Sequence, residues 1–434
     1  MFKNYLKITW AVMKRNKFYT FISLFGISMT LTILIVLAAF FDQLLAPTYP
    51  EVNRERSLYV QRIKLLDTVN HSSSTSPTSL SFMKNYLKTM TLPEKIGITS
   101  DPHSANTYLN KRKGKVFIKY TDAEFWQITQ FTFFEGKGFT TETIQNSDKS
   151  VIINDVIRDQ YFGKSMSVVG KNLEMGDEVF RIVGVVKHCA FTQLYVNADI
   201  YLPYTADKSP VLLGELGGKY NAIILAKSKA DLPRIQADFI NLLHKIPLNG
   251  DNSSTKHGHI ERSSNVFHPD TLIAQAETYA ASFTTHLTEK DRSQTEYNDG
   301  STLFYSVLGI FAFLFMLLPA LNLVNINISR IMERASEIGI RKAYGASAAT
   351  LSLQFIIENV ILTVIGGIIA IVFSALIIYY LNQKGIGPLT TLSLSINWLV
   401  VLIALILCFI FGLMSGAYPA WRMSKLSVVD ALKN

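Results

Sequence analysis

The sequence predicts a membrane protein of four α-helical spans, with a large α+β domain inserted between the first and the second. Three observations predict this class. The 434 residues are 49% hydrophobic and only 17% charged, with a mean hydropathy of +0.22, whereas soluble domains carry roughly a quarter charged residues. The apolar excess sits in the first forty or so residues and after Ser301, and the middle has an ordinary soluble composition. The net charge of +9 gathers at the ends of the apolar runs. A purely soluble enzyme and a polytopic protein made only of helices are both excluded.

A bilayer-spanning helix needs about 20 apolar residues. Four runs without a charge satisfy this: Phe18 to Phe41, Gly300 to Ser329, Asn359 to Gln383, and the run after Lys384, with its apolar core from Ile396 to Tyr418. Residues 1–17 predict a basic amphipathic helix, and 18–41 the first span. The first run is too long for a signal-peptide core, and Leu37-Ala38-Ala39-Phe40 is a poor cleavage site, so it reads as an uncleaved helix. Residues 42–300 form the inserted domain and 301–329 the second span. The connector 330–348 leads to the third span at 349–383, and the short loop 384–395 to the fourth at 396–420, with 421–434 as tail.

Charge sets the orientation. Residues 1–17, the connector from Arg330 to Lys342 and the tail from Arg422 together carry twelve basic side chains against Glu333, Glu337 and Asp430, which accounts for the whole excess. Basic residues mark cytoplasmic loops, so both termini are expected inside and the large domain outside. The basic pI of 9.2 is then a topology signal and not a nucleic-acid footprint. Cys189 falls in the outer domain and Cys408 in the last span, which excludes a disulfide framework.

Within the inserted domain, the tract His71 to Ser79 is almost all Ser and Thr and predicts a mobile loop. Val151-Ile152-Ile153 predicts a strand, followed by a helix over Asp155 to Phe162 that Asn154 caps and Gly163 ends. Asn172 to Met175 and Glu178 to Val186 predict a hairpin turning at Gly176-Asp177. Ala222 to Ala226 predicts a strand. Leu232, Ile235, Phe239, Leu242, Leu243 and Ile246 fall on one face of an amphipathic helix. Residues 270–300 predict a polar helical stalk leading to the second span.

Catalytic patterns fail on inspection. Gly163-Lys164-Ser165 ends like a phosphate loop, but Arg158 stands where the first glycine is required, and the segment follows a helix rather than a strand. His257 and His259, with His268 nearby, lack further metal ligands at a recognised spacing and predict a solvated loop. His188 and Cys189 are adjacent at a strand end and so point to opposite faces. No catalytic residue, cofactor site or metal site is expected.

Two segments at the inner ends of the spans stand out. In Glu333 to Ser347, a helix would place Arg334, Glu337 and Arg341 on one side, with Ile338 beside them. Gly339 lies within the Ile-Gly-Ile centre, Lys342 follows, and Gly345 is placed to end the helix. In the tail, Pro419 disrupts the last span and Trp421 suits the interface. Arg422 and Lys425 precede a helix start formed by Ser427 and Asp430. Glu358 is a lone acid in the first turns of the third span. It reads as an interfacial carboxylate that helps helix packing, with proton coupling as the rival, since acids at the bilayer centre are costly.

The run Glu337-Ile338-Gly339-Ile340-Arg341-Lys342-Ala343-Tyr344-Gly345-Ala346-Ser347 resembles the signature of the FtsX/MacB-like ABC transporter permeases. So does the ending Tyr418-Pro419-Ala420-Trp421-Arg422, continued by Leu426, Val429, Ala431 and Leu432. Val151 to Tyr204 is similar to the MacB-type external domain, and Asn16 to Ile27 to that family's first span. The resemblance implies a non-catalytic permease of the bacterial cytoplasmic (inner) membrane that acts as a homo- or heterodimer. It would be driven by ATP bound to a separate cytoplasmic ATPase, because Met1 begins directly with the basic helix where MacB itself has an ATPase domain. Glu333, Arg334, Glu337, Ile338, Gly339, Arg341, Lys342 and Gly345 would be the ATPase-coupling residues, and Arg422, Lys425 and Asp430 a tail contact. The family transmits ATP-driven motion to its external domain, in some members for export through a periplasmic adaptor and outer-membrane duct. The rivals are a membrane-anchored sensor or regulator of envelope enzymes, and a membrane enzyme with an external site.

Overall fold

The computed structural model describes residues 10, 13–15, 17–109, 112–164, 166–176, 178–190, 192–208, 216–248, 269–282, 302–315, 317, 340, 344, 348–384, 394–399, 401–406, 409–410 and 413. The chain divides into a helical unit, residues 1–44 with 305–434, and an inserted unit, residues 45–304.

The chain enters through helix α1 (Lys17–Leu45). Its buried side repeats at helical spacing through Ser23, Ile27, Leu31, Ile35 and Ala39. The opposite side exposes Phe18, Phe21, Phe25 and Met29. The inner side mixes Ser23, Ser28 and Thr32 with Ile27, Leu31 and Ile35, and the outer side is apolar where a soluble helix would be polar, which suits a lipid surround.

The inserted unit begins with β1 (Ser57–Val60), β2 (Arg62–Asp67) and β3 (Ser72–Pro77), then a short helix α2 (Leu80–Asn85). Strands β4 (Lys95–Ser100), β5 (His103–Leu109) and β6 (Arg112–Thr121) follow, then α3 (Ala123–Ile128), β7 (Phe133–Gly136) and α4 (Thr141–Gln145). Next come β8 (Ser150–Asn154), α5 (Asp155–Tyr161), β9 (Asn172–Met175), β10 (Glu178–Val186) and β11 (Ile200–Pro203). The unit closes with β12 (Tyr220–Leu225), α6 (Leu232–Leu243) and β13 (Thr271–Ala274).

Ten strands form one mixed sheet in the order β1-β12-β4-β6-β11-β8-β10-β7, with β5 added to β6 and β9 to β10. Strand β13 joins β2 and β3 in a second sheet. Side chains alternate faces along a strand, and here both faces are covered. On β12, Ala222 and Ile224 enter the core under α2 and α6, while Ile223 and Leu225 enter an aromatic core around Phe125, Trp126 and Tyr201. On β8, Ile152 joins that aromatic core, and Val151 and Ile153 join a third around Ile157 and Phe180. Burial on both faces is why Val-Ile-Ile reads as a continuous apolar run.

Local signals act as expected. The Asn154 side chain accepts from the Ile157 N–H to cap α5, and Gly163 follows it at φ +102°. Strands β9 and β10 pair antiparallel, with Gly176 at φ +60° in the turn. Buried Leu232, Ile235, Phe239 and Leu243 form the inner face of α6.

Two expectations are corrected. The Ser/Thr tract forms edge strand β3, paired with β2 from Arg62↔Pro77 to Asp67↔Ser72. Ser72 to Thr75 are exposed, so main-chain hydrogen bonds hold the strand without burial of apolar area. The stretch from residue 270 does not start as a helix: Thr271–Ala274 is strand β13, antiparallel to β2, with Leu272 and Ala274 in the core. Its Leu-Ile run behind Thr271 suits a half-buried strand. A helical turn begins only at Tyr279.

In the helical unit, α7 (Thr302–Phe315) is apolar, and α8 (Ala348–Lys384) carries a long apolar stretch, Ile356–Gln383. Among the described residues, α1 and α8 are the two helices long and apolar enough to cross a membrane. Residues 318–339 and 414–434, which hold much of the second run and the end of the fourth, lie outside the described part. Helices α1 and α8 meet through small residues. A Cβ on Gly366 would stand 2.7 Å from Ile27 Cγ2. Ile27 and Leu31 pack with Ala370 and Ala404, and Ser374 Oγ donates to the Thr32 carbonyl at 3.5 Å.

Candidate functional site

Most of the sequence-predicted site residues lie outside the described part: Glu333, Arg334, Glu337, Ile338, Gly339, Arg341, Lys342, Gly345, Arg422, Lys425 and Asp430, and likewise His257, His259 and His268. Two positions inside the first segment are described. The Tyr344 N–H donates to the Ile340 carbonyl at 3.0 Å, the i to i−4 bond of a helix, and both side chains are exposed. Glu358 is described and, 3% exposed, is buried on α8, as are Asn359 and Thr363. At the far end of α8, Asn382 both donates to and accepts from the Leu394 main chain, at 2.8 and 2.9 Å. Asn397 donates to Asp42 at 3.1 Å.

The arrangement that stands out in the inserted unit is a buried polar node built by the segment that follows α1 and by one late in the unit. The first runs from Ala46 to Tyr59 and the second from Glu277 to Ser282. They are joined by a backbone pair: the Tyr59 N–H donates to the Glu277 carbonyl at 2.7 Å, and the Glu277 N–H donates back at 2.9 Å. Arg54, 4% exposed, sits at the centre. Its Nη1 donates to the Ala46 carbonyl at 2.7 Å, one residue past α1. Its Nη2 donates to Glu51 Oε2 at 2.7 Å and also to Gln193 Oε1. The guanidinium lies 3.7 Å from the Tyr279 ring centroid.

Surrounding groups complete the node. Gln193 Nε2 donates to Thr48 Oγ1 at 2.5 Å, Tyr59 OH to Glu51 Oε1 at 2.9 Å, and Tyr279 OH to the Thr192 carbonyl at 2.8 Å. Tyr59 and Tyr195 stack at 4.3 Å, with Tyr279 edge-on to both. Burial disfavours the Arg54 charge, but the Glu51 carboxylate together with Tyr279 and Tyr59 outweighs it, and the guanidinium is held above its ordinary value. Burial, with Glu51 adding to it, pushes the Tyr59 hydroxyl well up, so it stays a neutral donor. The node can hold three chain segments in fixed register. It offers no nucleophile.

His188 pairs with Asp155 rather than with its neighbour Cys189. The His188 N–H donates to Asp155 Oδ1 at 2.8 Å, and Nδ1 lies 2.9 Å from the same oxygen. Cys189 points into the core, and burial pushes its thiol up to about 12. The bond to Asp155 holds the His188 imidazole above its usual value against the effect of burial. Burial favours a raised Asp155 carboxyl, but the bonds from His188 prevail and hold it below the usual range. The His188 contribution is therefore present below about pH 6.5 and lost as pH rises through its raised value, and that of Asp155 is present above about pH 3.9 and lost as pH falls through its depressed one. Subtracting unfolding curves of His188→Asn from wild type should give a difference that is largest at pH 4–6 and fades toward pH 8. A flat difference would refute the clasp. The pair was missed in the sequence because Asp155 reads as a first-turn helix residue, 33 positions away. Nothing in the local sequence marks Arg54 either: Glu51 and Arg54 look like any i, i+3 loop pair, and Gln193 and Tyr279 are remote. Among the described residues, no three His, Cys, Asp or Glu side chains are grouped to hold a metal.

Two family models match the chain: the MacB-like periplasmic core domain over residues 20–242, and the FtsX-like permease C-terminal region over residues 309–428. The uncharacterized ABC transporter permease YvrN of Bacillus subtilis is 26% identical over 72% of this chain and 68% of its own length. The permease YknZ of the same organism is 23% identical over 71% of this chain and 68% of its own length. The macrolide export ATP-binding/permease protein MacB of Bdellovibrio bacteriovorus is 25% identical over 75% of this chain, a match that spans only 45% of that protein.

Proposed function

The chain belongs to the FtsX- and MacB-like ABC transporter permeases, and on that premise we propose that it transmits ATP-driven motion of a separate ATPase subunit to its inserted unit, for export or release of a substrate outside the membrane. One observation carries this reading. The segment that follows α1 and the segment that precedes, in sequence, the chain leading to α7 are joined side by side at Tyr59 and Glu277 and locked around Arg54. A displacement of either connection is thereby delivered to both. Two ATPases closing on two permease subunits would move the helix around Glu333 to Gly345, which the helical bond from Tyr344 to Ile340 supports. Tail residues Arg422, Lys425 and Asp430 would add a second contact, and buried Glu358 would serve helix packing. ATP is bound by the partner, and a periplasmic adaptor with an outer-membrane duct would receive cargo. A membrane-anchored sensor would leave the FtsX-like region, residues 309–428, without a role.

Purification of the full chain from its native membrane should bring an ABC ATPase with it, at one ATPase per permease, with vanadate-sensitive ATP turnover. Purification without ATP turnover would count against the reading. In this proposal the chain crosses the inner membrane four times with both termini cytoplasmic. Introduced cysteines at Ser74 and Asn252 should then react with an impermeant maleimide in intact spheroplasts, and those at Ser336 and Ser424 only after lysis. Reaction at Ser336 in intact spheroplasts would refute the topology.

A further inference from the structure

Resting on the transmission reading above, we propose that Arg54 is the positioning residue that ties both connections to the loop 187–199, making that loop the part of the inserted unit that follows the spans. The geometry is specific to this loop. Arg54 Nη2 and Thr48 Oγ1 hold the two ends of the Gln193 amide, and Tyr279 OH holds the neighbouring Thr192 carbonyl. The Gln193 carbonyl in turn accepts from the Val196 and Asn197 N–H groups, at 3.1 and 2.8 Å, so that residue fixes the turn of the loop. The near end of the loop is held by Tyr49 OH on the Lys187 carbonyl at 2.8 Å and by the His188–Asp155 pair. Its far end is held by Asn154 Nδ2 on Asp199 at 3.1 Å. The loop therefore bridges the node and the start of α5, with Leu194 exposed between them.

A structural explanation competes: Arg54 and Glu51 could be only a buried ion pair of the core. Such pairs add little net stability, because desolvation offsets the attraction and apolar or neutral replacements are often no worse. What an ion pair does add is direction. Arg54 faces Ala46 on one connection, Tyr279 on the other and Gln193 on the loop, an arrangement that an apolar side chain of similar volume would not reproduce.

The test separates stability from coupling. Arg54→Met alone leaves the Glu51 carboxylate buried without its cation and should lower the melting temperature. Arg54→Met with Glu51→Gln removes both charges and keeps an acceptor for Tyr59 OH, so its melting temperature should return to near that of the wild type. In the full chain in nanodiscs, this double variant should still exchange the Gln193, Val196 and Asn197 amides about tenfold faster than wild type, since it lacks a charge-assisted bond to the loop. The ladder amides of β8 and β10 should be unchanged. Equal loop protection in the two proteins would overturn the proposal, as would a uniform loss across the unit. A second arm uses the complex with the co-purified ATPase and a spin label at Leu194→Cys, in a Cys408→Ser background. Addition of ATP and vanadate should change the spectrum in wild type and not in the double variant. An equal change in both would also overturn the role of Arg54. No change in wild type would instead remove the transmission reading, while the tie between Arg54 and the loop is decided by exchange.

Discussion

Glu337→Lys combined with Arg341→Glu abolishes association with the ATPase while the chain still inserts and its inserted unit still folds: that is the expected result if residues 333–345 dock in a groove of the partner. Truncating one member of a buried, hydrogen-bonded charge pair at an interface costs about 2–5 kcal/mol. Reversal adds like-charge contacts to that loss. A solvated connector would lose only about 0–1 kcal/mol per surface pair. The two cases differ by more than about tenfold in affinity, since 1.4 kcal/mol is a factor of ten. Gly345→Val should act in the same direction by forbidding a left-handed helix end. Co-purification and ATP turnover measure both variants. Unchanged ATPase affinity in the double variant would reduce the segment to a solvated loop.

The second large effect is on the inserted unit. Gly136 ends β7 at φ +71°, and a Cβ there would stand 1.9 Å from the Val183 carbonyl oxygen. That oxygen belongs to backbone in strand β10 and has no side-chain freedom with which to move aside. Gly136→Val therefore combines a left-handed backbone, about 1–2 kcal/mol, with overpacking against a central strand, about 1–3 kcal/mol or more. Losses of this size are a large fraction of the stability of a typical domain. Gly176 is the comparison. It also has positive φ, +60°, but nothing lies within 4 Å of its Cβ position. Gly176→Ala should cost about 1–2 kcal/mol, the backbone part alone. Thermal unfolding followed by Trp126 emission, with Trp10, Trp398 and Trp421 replaced by Phe, would measure both. Similar melting temperatures for the two variants would show that the sheet relaxes around the clash.

The parts of the inserted unit that could be read from sequence are those whose causes lie within a few residues. Asn154 caps α5 through an N–H three positions on, Gly176 makes its turn by its own dihedral, and α6 shows its buried face by period. Strand β3 was unreadable for the opposite reason. Its Ser and Thr side chains bury nothing, and its existence depends on pairing with β2. Strand β13 likewise depends on β2, some 200 residues earlier in the chain, and its Leu-Ile run is too short to decide between strand and helix without that partner. The Arg54 node is the extreme case, because Ala46, Glu51, Gln193 and Tyr279 meet only in the folded unit. The charge pattern of the connector and Gly345 are local features as well, and they lie outside the described residues.

The backbone pairing of Tyr59 with Glu277 also bears on how such a protein is assembled over evolutionary time. A residue soon after α1 and one late in the inserted unit lie side by side, and the cost of loop closure grows slowly with the size of what lies between them. What lies between the two paired residues can be enlarged or elaborated at its edges without disturbing that pairing. Diversity among relatives is expected to gather in the residues between the pair and away from it.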